Sequence, residues 1–441
     1  MTKIVEIIKE LKEYLELPTT VKQYRVLPKN FSRKSKLSFS EVSLLGIQLM
    51  KGSLSVELDN ILSINNLEVV SKSGYSQARY KIERNFYASW NNVLIKSLYN
   101  PLMSLEEENT LSNKRYKGYF IEAIDGSKLT LPNLKVMKAH FGFQTGGSKH
   151  QKTQTAMCLL LARYDVLNHY IRQSEVSPLN VGEIPLCKTW VKDLNSEAIT
   201  VFDRGFASLF LCYLLNKYRK HFVIRVKLGF NQLVKDFVAS KQTDVIVNWQ
   251  AKQTEFCGAE TMEKGTTIQV RLVKIILPNG EMEVLITSLL DKEVFSIADL
   301  NSIYQMRWGI ETAYDRLKNQ LLIMCFSGSK VEAIYQDIYA TVFIHNLQQM
   351  LCNDAQVIVN QTSTNCKYDY AVNNSVATGL LKNKIMTLFL TQEPEEIVEK
   401  LITLFAKHKE PIRPHRKSNK RIRSLAKRRN LITQTNFKRC F

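Results

Sequence analysis

The sequence predicts an α/β fold flanked by helices, and three patterns carry that expectation. From about residue 111 to Val226, short β-rich apolar runs alternate with helical periodicity, the mark of a layered sheet-and-helix domain. Between Phe230 and Leu290 hairpin chemistry replaces the alternation, which reads as a β-rich insertion over about 228–292. Helical patterns occupy both flanks. With 441 residues, 45% of them hydrophobic, the chain is long enough for two or three domains. The expected division is a helical domain over 1–110, an α/β domain with its insertion over 111–350, and a C-terminal helical region with a basic tail over 351–441.

Taken in order, MTKIVEIIKELKEYLEL mixes Lys and Glu into an amphipathic helix, unlike the apolar block of a signal peptide. Val21–Leu37 carries six basic residues and no acid, and Ser38 with Glu41 then forms a capping box opening FSEVSLLGIQLM. Gly74 reads as a break and Ser76 as the start of SQARYKIERNFYASW. That start places Gln77, Arg79, Lys81 and Arg84 where a helix reading a DNA groove would need them, with Arg79 and Lys81 the candidate contacts. A solvated basic helix accounts for the same spacing.

Strands are expected at Tyr119–Ile124, at Thr155–Arg172 as two strands around Asp165, at Ala198–Phe202 and at Phe222–Val226, with a helix over Ala207–Lys217. The insertion reads as DVIVNWQ, TIQVRLVKIIL, a Pro278-Asn279-Gly280 turn and MEVLITSLL, and looks like an added subdomain. Ser296 and Asp299 signal a helix start, Ile303–Gln320 continues as one helix, and Lys330–Met350 forms another.

Charge narrows the partners. The formal net charge of +20, from 61 basic and 41 acidic residues, implies a polyanion, with nucleic acid first. Thirteen basic residues against Glu410 place +12 of that charge in Lys407–Phe441, a tail suited to sequence-independent phosphate binding. The eight cysteines include no C-x-x-C pair and the seven histidines no ligand spacing, so zinc is not expected and reduced thiols fit a cytosol. No apolar run approaches the ~18 residues of a membrane span. The expected location is the cytoplasm, at the nucleoid.

Asp125 and Asp203 each end an expected strand before a Gly-containing turn, and Glu311 lies on a later helix. Ligands gather at strand C-termini in α/β sheets, so the two aspartates are placed to share a site with Glu311 brought in beside them. Three converging carboxylates repel unless a hard cation neutralises them, and Mg²⁺, two ions per site with Mn²⁺ as the substitute, suits phosphoryl transfer. An Asp-Gly turn and a helix N-cap are the ordinary roles open to Asp125 and Asp203. Glu122, three residues before Asp125, points to the opposite strand face. On one helix Tyr304, Arg307, Glu311 and Lys318 fall within roughly a 60° arc, presented outward while Ile303, Met306, Ile310, Tyr314 and Leu317 dock on a core. A surface salt-bridge ladder has that same pattern.

The string Tyr304-x2-Arg307-x3-Glu311-x6-Lys318 resembles the Tyr-Arg-Glu-Lys signature of the insertion-sequence-four family of bacterial DDE transposases. IDGS around the first acid, VFDRGF around the second, FVIRVK after it and the β insertion before the third look like the same family, over roughly residues 30 to 350. The resemblance implies a ribonuclease-H-like catalytic core in which Asp125, Asp203 and Glu311 are catalytic and hold two divalent ions. It implies Tyr304, Arg307 and Lys318 on DNA backbone, with Arg225 a weaker candidate. It further implies double-stranded DNA partners, transposon ends and target, and a homodimer or higher oligomer joining two ends. Relatives place a base-stacking Trp just before a strand like VLITS; here Glu283 stands there, and a glutamate cannot stack on a base. Trp249 lies on another strand and Trp308 reads as core. A nuclease of this type without integration, and a catalytically silent DNA-binding descendant, are the competing functions.

Overall fold

The computed structural model describes residues 2–33, 35–50, 52–100, 113–148 and 151–413, so most of the basic tail lies outside the described residues. Helices α1 (Thr2–Glu16), α2 (Pro18–Tyr24), α3 (Phe39–Gly46), α4 (Leu54–Ile64), α5 (Lys72–Arg79) and α6 (Phe86–Leu98) come first. Then follow β1 (Phe120–Thr130), α7 (Lys135–Phe141), β2 (Phe143–Ser148), β3 (Gln151–Asp165), β4 (Tyr170–Pro178), α8 (Glu183–Trp190), β5 (Ala198–Phe202), α9 (Leu209–Lys217) and β6 (His221–Val226). The next stretch holds α10 (Gln232–Ala239), β7 (Asp244–Gln250), β8 (Glu255–Cys257), β9 (Glu260–Met262), β10 (Thr267–Ile276) and β11 (Met282–Thr287). Finally come α11 (Ile297–Met306), α12 (Trp308–Asp315), α13 (Val331–Thr362), β12 (Tyr370–Val372), α14 (Asn374–Lys382), α15 (Ile385–Leu390), α16 (Glu395–Lys407) and β13 (Lys409–Pro411).

The chain forms two compact units that cut across the three domains expected at 1–110, 111–350 and 351–441. One unit gathers Met1–Asn113, Leu129–Cys158 and Asp315–Phe441. Packing supplies the reason. The N-terminal helices cover their apolar faces with helices from the other end of the chain: Trp90 of α6 stacks on Phe343 of α13 with ring centroids 4.2 Å apart, and Asn346 donates to Asn91 at 2.7 Å in a buried amide pair. The capping box at Ser38 and Glu41 is present as expected. Helix α5, however, begins at Lys72 with Ser71 as its cap, so Gly74 lies within the helix and Ser76 does not start one.

The second unit, Lys114–Lys128 with Leu159–Tyr314, is built on a mixed sheet. Its strands run in the order β3-β1-β5-β6-β11-β10-β7, with β4 beside β3. Strands β1, β5 and β6 are parallel, whereas β11, β10 and β7 continue the sheet antiparallel. The β-rich insertion joins the sheet edge to edge: its three long strands extend the same sheet, because β11 pairs with β6 from Thr287↔Val223 to Val284↔Val226. Within the insertion, the small β8–β9 hairpin stands off it.

Strand alternation gives this sheet two unlike faces. Ile124, Phe202, Phe222, Ile224, Val284 and Ile286 enter an apolar core with residues of α8, α9 and α10. Residues of opposite parity, Asp125, Asp203, Arg225 and Glu283, point to the other face. Glu122 shares the apolar-core face, fully buried and tied to Arg172 at 2.6 Å and Arg163 at 3.7 Å, as its spacing from Asp125 required.

Candidate active site

The parallel pairing of β1, β5 and β6 ends at Ile124↔Phe202 and Phe202↔Ile224. Asp125 and Arg225 are the next residues of β1 and β6, and Asp203 is the first residue past β5 between them, with Arg225 Nη2 3.7 Å from Asp203 Oδ1. Asp125 does not end its strand; β1 runs on to Thr130. What stops there is its pairing with β5, which turns away at Asp203 into the Arg204–Phe206 turn. Gly126 N–H donates to Asp125 Oδ1 at 2.9 Å. Burial pushes the Asp125 carboxyl up to about 6; Glu183 and Asp203 push the same way, while the Gly126 N–H and Arg307 oppose.

Glu183 is the residue sequence reasoning missed. It opens α8 after Gly182, and a Cβ on Gly126 would lie 2.5 Å from its carboxyl carbon, so this acid rests directly over the backbone beside Asp125. Burial raises its carboxyl too. A Gly-Glu at a helix start after a strand and a loop was the only cue, and many loops carry one.

The single helix expected over Ile303–Gln320 is broken. Helix α11 stops at Met306, Arg307 is held by i,i+3 bonds (its N–H to the Tyr304 carbonyl, the Ile310 N–H to its own), and after α12 a π turn spans Arg316–Gln320. The four signature residues therefore do not form an outward row. Tyr304 and Arg307 are 3% and 5% exposed, while Trp308, expected in the core, is 53% exposed beneath the Arg307 guanidinium, 4.8 Å from the ring centroid. Arg307 Nη2 donates to Glu311 Oε1 at 2.9 Å. Tyr304 lies between two cations, with the Arg225 and Arg307 guanidinium carbons 5.8 Å and 5.9 Å from its ring. Burial raises its phenol, both arginines pulling the other way, and its hydroxyl has no hydrogen-bond partner among the described residues. The Nε groups of Arg225 and Arg307 lack one as well.

Two further contacts set the geometry. The Tyr314 hydroxyl donates toward the Asp125 carbonyl at 2.7 Å and the Leu160 carbonyl at 3.0 Å, which ties the helix of Glu311 to the strand of Asp125. Gly309 makes that approach close, since a Cβ there would fall 2.4 Å from Val166 Cγ1.

The remaining expectations fare unevenly. Lys318 belongs to the helical unit, on the π turn. Lys81 is exposed, in the turn after α5. Arg79 is corrected as a DNA contact: it is buried, donating to Gln336 at 2.9 Å and Asp337 at 3.0 Å, so its charge serves the packing of α5 on α13. Trp249 is buried. No described helix is long and apolar enough to cross a membrane.

The family model of the transposase DDE domain matches residues 121–347, more than half of the chain, and the chain belongs to that family. The transposase InsG of insertion sequence element IS4 from Escherichia coli (strain K12) is 22% identical over 246 residues, 54% of this chain and 53% of that protein, in keeping with the insertion-sequence-four resemblance. The chain thus spans about half the length of the curated relative it matches. A solved chain from the synaptic complex of piggyBac transposase with hairpin DNA is similar at a TM-score of 0.42 and 12% identity, covering 98% of this chain and 88% of its own.

DDE transposases generally use divalent metals, and the residues here suit one by type. Asp125 and Asp203 are neighbouring oxygen donors, and Asp125 sits among acids in a buried place that disfavours its charge, a deficit a hard cation relieves. Among the described residues, however, no three acids, histidines or cysteines converge as ligands, and Glu311 is hydrogen-bonded to Arg307.

Proposed function

We propose that this chain is a DNA transposase that binds the ends of an insertion sequence, cleaves a strand there and joins it to target DNA. One observation carries the reading: Asp125, Asp203 and Arg225 each follow the last parallel pair of three neighbouring strands, Tyr304 lies against Arg225, and Arg307 beside Tyr304 holds Glu311. The ribonuclease-H-like description of the core rests on that arrangement. Asp125, Asp203 and Glu311 would hold divalent ions, Mg²⁺ or Mn²⁺, two in all, which supply Lewis-acid stabilisation of a phosphoryl-transfer transition state.

The chain's own groups do the rest. The unpartnered Tyr304 hydroxyl and the Nε groups of Arg225 and Arg307 are buried donors suited to the non-bridging oxygens of a phosphodiester, and would orient it for in-line attack. Exposed Trp308 offers an aromatic face beside them. Lys318 and Lys81 are proposed as further backbone contacts, and two DNA ends call for at least a dimer.

A joining assay tests the reading, with duplexes copied from the DNA flanking the coding region, target plasmid and Mg²⁺ or Mn²⁺. Cleavage and joined product are expected from the parent chain and neither from Asp203→Asn. Nicked product alone would favour a nuclease, and full cleavage by Asp203→Asn would remove these acids from the reaction.

A further inference from the structure

Arg225 stands between two carboxylates and treats them differently. Its Nη1 donates directly to Glu283, whereas its Nη2 stays 3.7 Å from Asp203 Oδ1, an ion pair with no hydrogen bond. The register accounts for this. Leu285 lies opposite Arg225 across β11 and β6, so Glu283, two residues along, is the diagonal neighbour on the same face, within reach of a long side chain. Asp203 lies on the other flank, at the end of the parallel pairing with β6. Arginine satisfies carboxylates best through two parallel hydrogen bonds. Here the Glu283 carboxylate takes the Nη1 donor instead. Its side chain is 15% exposed against 36% for Asp203, so the more buried acid, where attraction is screened less, holds the guanidinium.

We propose that Glu283 is a positioning residue: it tethers Arg225 and keeps the guanidinium from closing on Asp203, leaving that carboxylate open to a divalent cation. Position 283 then has a task of its own in this chain, served by charge rather than by stacking. The inference rests on Asp203 being a cation ligand, as in the function proposed above. Once Glu283 is neutral, Arg225 is free to pair with Asp203 and competes with the ion for the same oxygens.

Mn²⁺ binding to the full chain without DNA, followed by electron paramagnetic resonance, tests the inference apart from catalysis. Glu283→Gln keeps the shape and should weaken Mn²⁺ binding about tenfold or more, the scale typical of groups that orient metal ligands. Glu283→Asp, which keeps the charge, should restore most of the affinity, and the double variant Glu283→Gln with Arg225→Gln should return to the level of Arg225→Gln alone. Circular dichroism confirms that each variant is folded. Parent-like affinity in Glu283→Gln overturns the proposal, as does a double variant no better than Glu283→Gln. If Asp203→Asn leaves Mn²⁺ affinity unchanged, Asp203 is not a ligand and the reading beneath falls with the proposal.

Discussion

Gly309→Ala should displace the helix of Glu311, the third acid of the proposed site, more than it destabilises the chain. The added methyl would meet Val166 Cγ1 at 2.4 Å and Tyr164 Cε1 at 3.6 Å. Carbon atoms rest about 3.5–4.0 Å apart, so the first contact is more than about 1 Å too close. Val166 is buried and its branched stem is stiff, so α12 must lift. Overpacking of this kind costs about 1–3 kcal/mol, and alanine's helix propensity returns about 1 kcal/mol, leaving a net loss of roughly 0–2 kcal/mol. Glu311 is two residues further along the helix, and a shift near 1 Å in a reacting group can cost on the order of 10²-fold in rate. The expected result is a urea midpoint close to that of the parent with cleavage reduced by about two orders of magnitude. Val166→Ala removes Cγ1 and should restore much of the rate in the double variant. Parent-like cleavage in Gly309→Ala, or no recovery in the double variant, would refute the argument.

Three more outcomes follow from the contacts. Tyr314→Phe leaves the Asp125 and Leu160 carbonyls without their shared donor, so stability should fall by about 1–3 kcal/mol in denaturant titration, and cleavage should fall with it. Arg79→Ala breaks a buried pair with Asp337, so it should lower stability by about 3–5 kcal/mol while the salt slope of DNA binding stays unchanged; a reduced slope would return Arg79 to the DNA interface. The Asp299 carboxyl is held well below the usual range by Lys117, then by Ser296 and Tyr116. A depressed folded-state pKa stabilises above the unfolded value near 4 and is lost as pH falls below it, so the parent should exceed Asp299→Asn by about 1 kcal/mol at pH 7, a gap closing in acid thermal melts.

Local features were legible and partnerships were not. Strand β5 covers the expected Ala198–Phe202, β7 covers DVIVNWQ, and both capping boxes are present, because each depends on a handful of neighbouring residues. Pairing of β11 with β6 crosses some sixty residues and joins runs whose periodicity suits any sheet, so an extension of the central sheet read as a subdomain. A basic residue near a helix start looks alike whether it meets DNA or Asp337, which left Arg79 misplaced. That Asp125 and Asp203 would lie side by side was readable from the runs that precede them. The break at Arg307, which buries that guanidinium and turns Trp308 outward, depends on packing that helical spacing does not encode.

The contact of α6 with α13 bears on how this molecule is made. Trp90 waits for Phe343, and Arg79 for Asp337, about 250 residues later in synthesis. At about 5–20 residues per second the first helices spend roughly 12–50 s without their covering surface. During that time a large aromatic and an arginine destined for burial stand in solvent. A fragment ending near residue 110 would stay in that condition, so the first hundred residues are poorly suited to expression as an isolated DNA-binding module, and the growing chain would be expected to depend on chaperones.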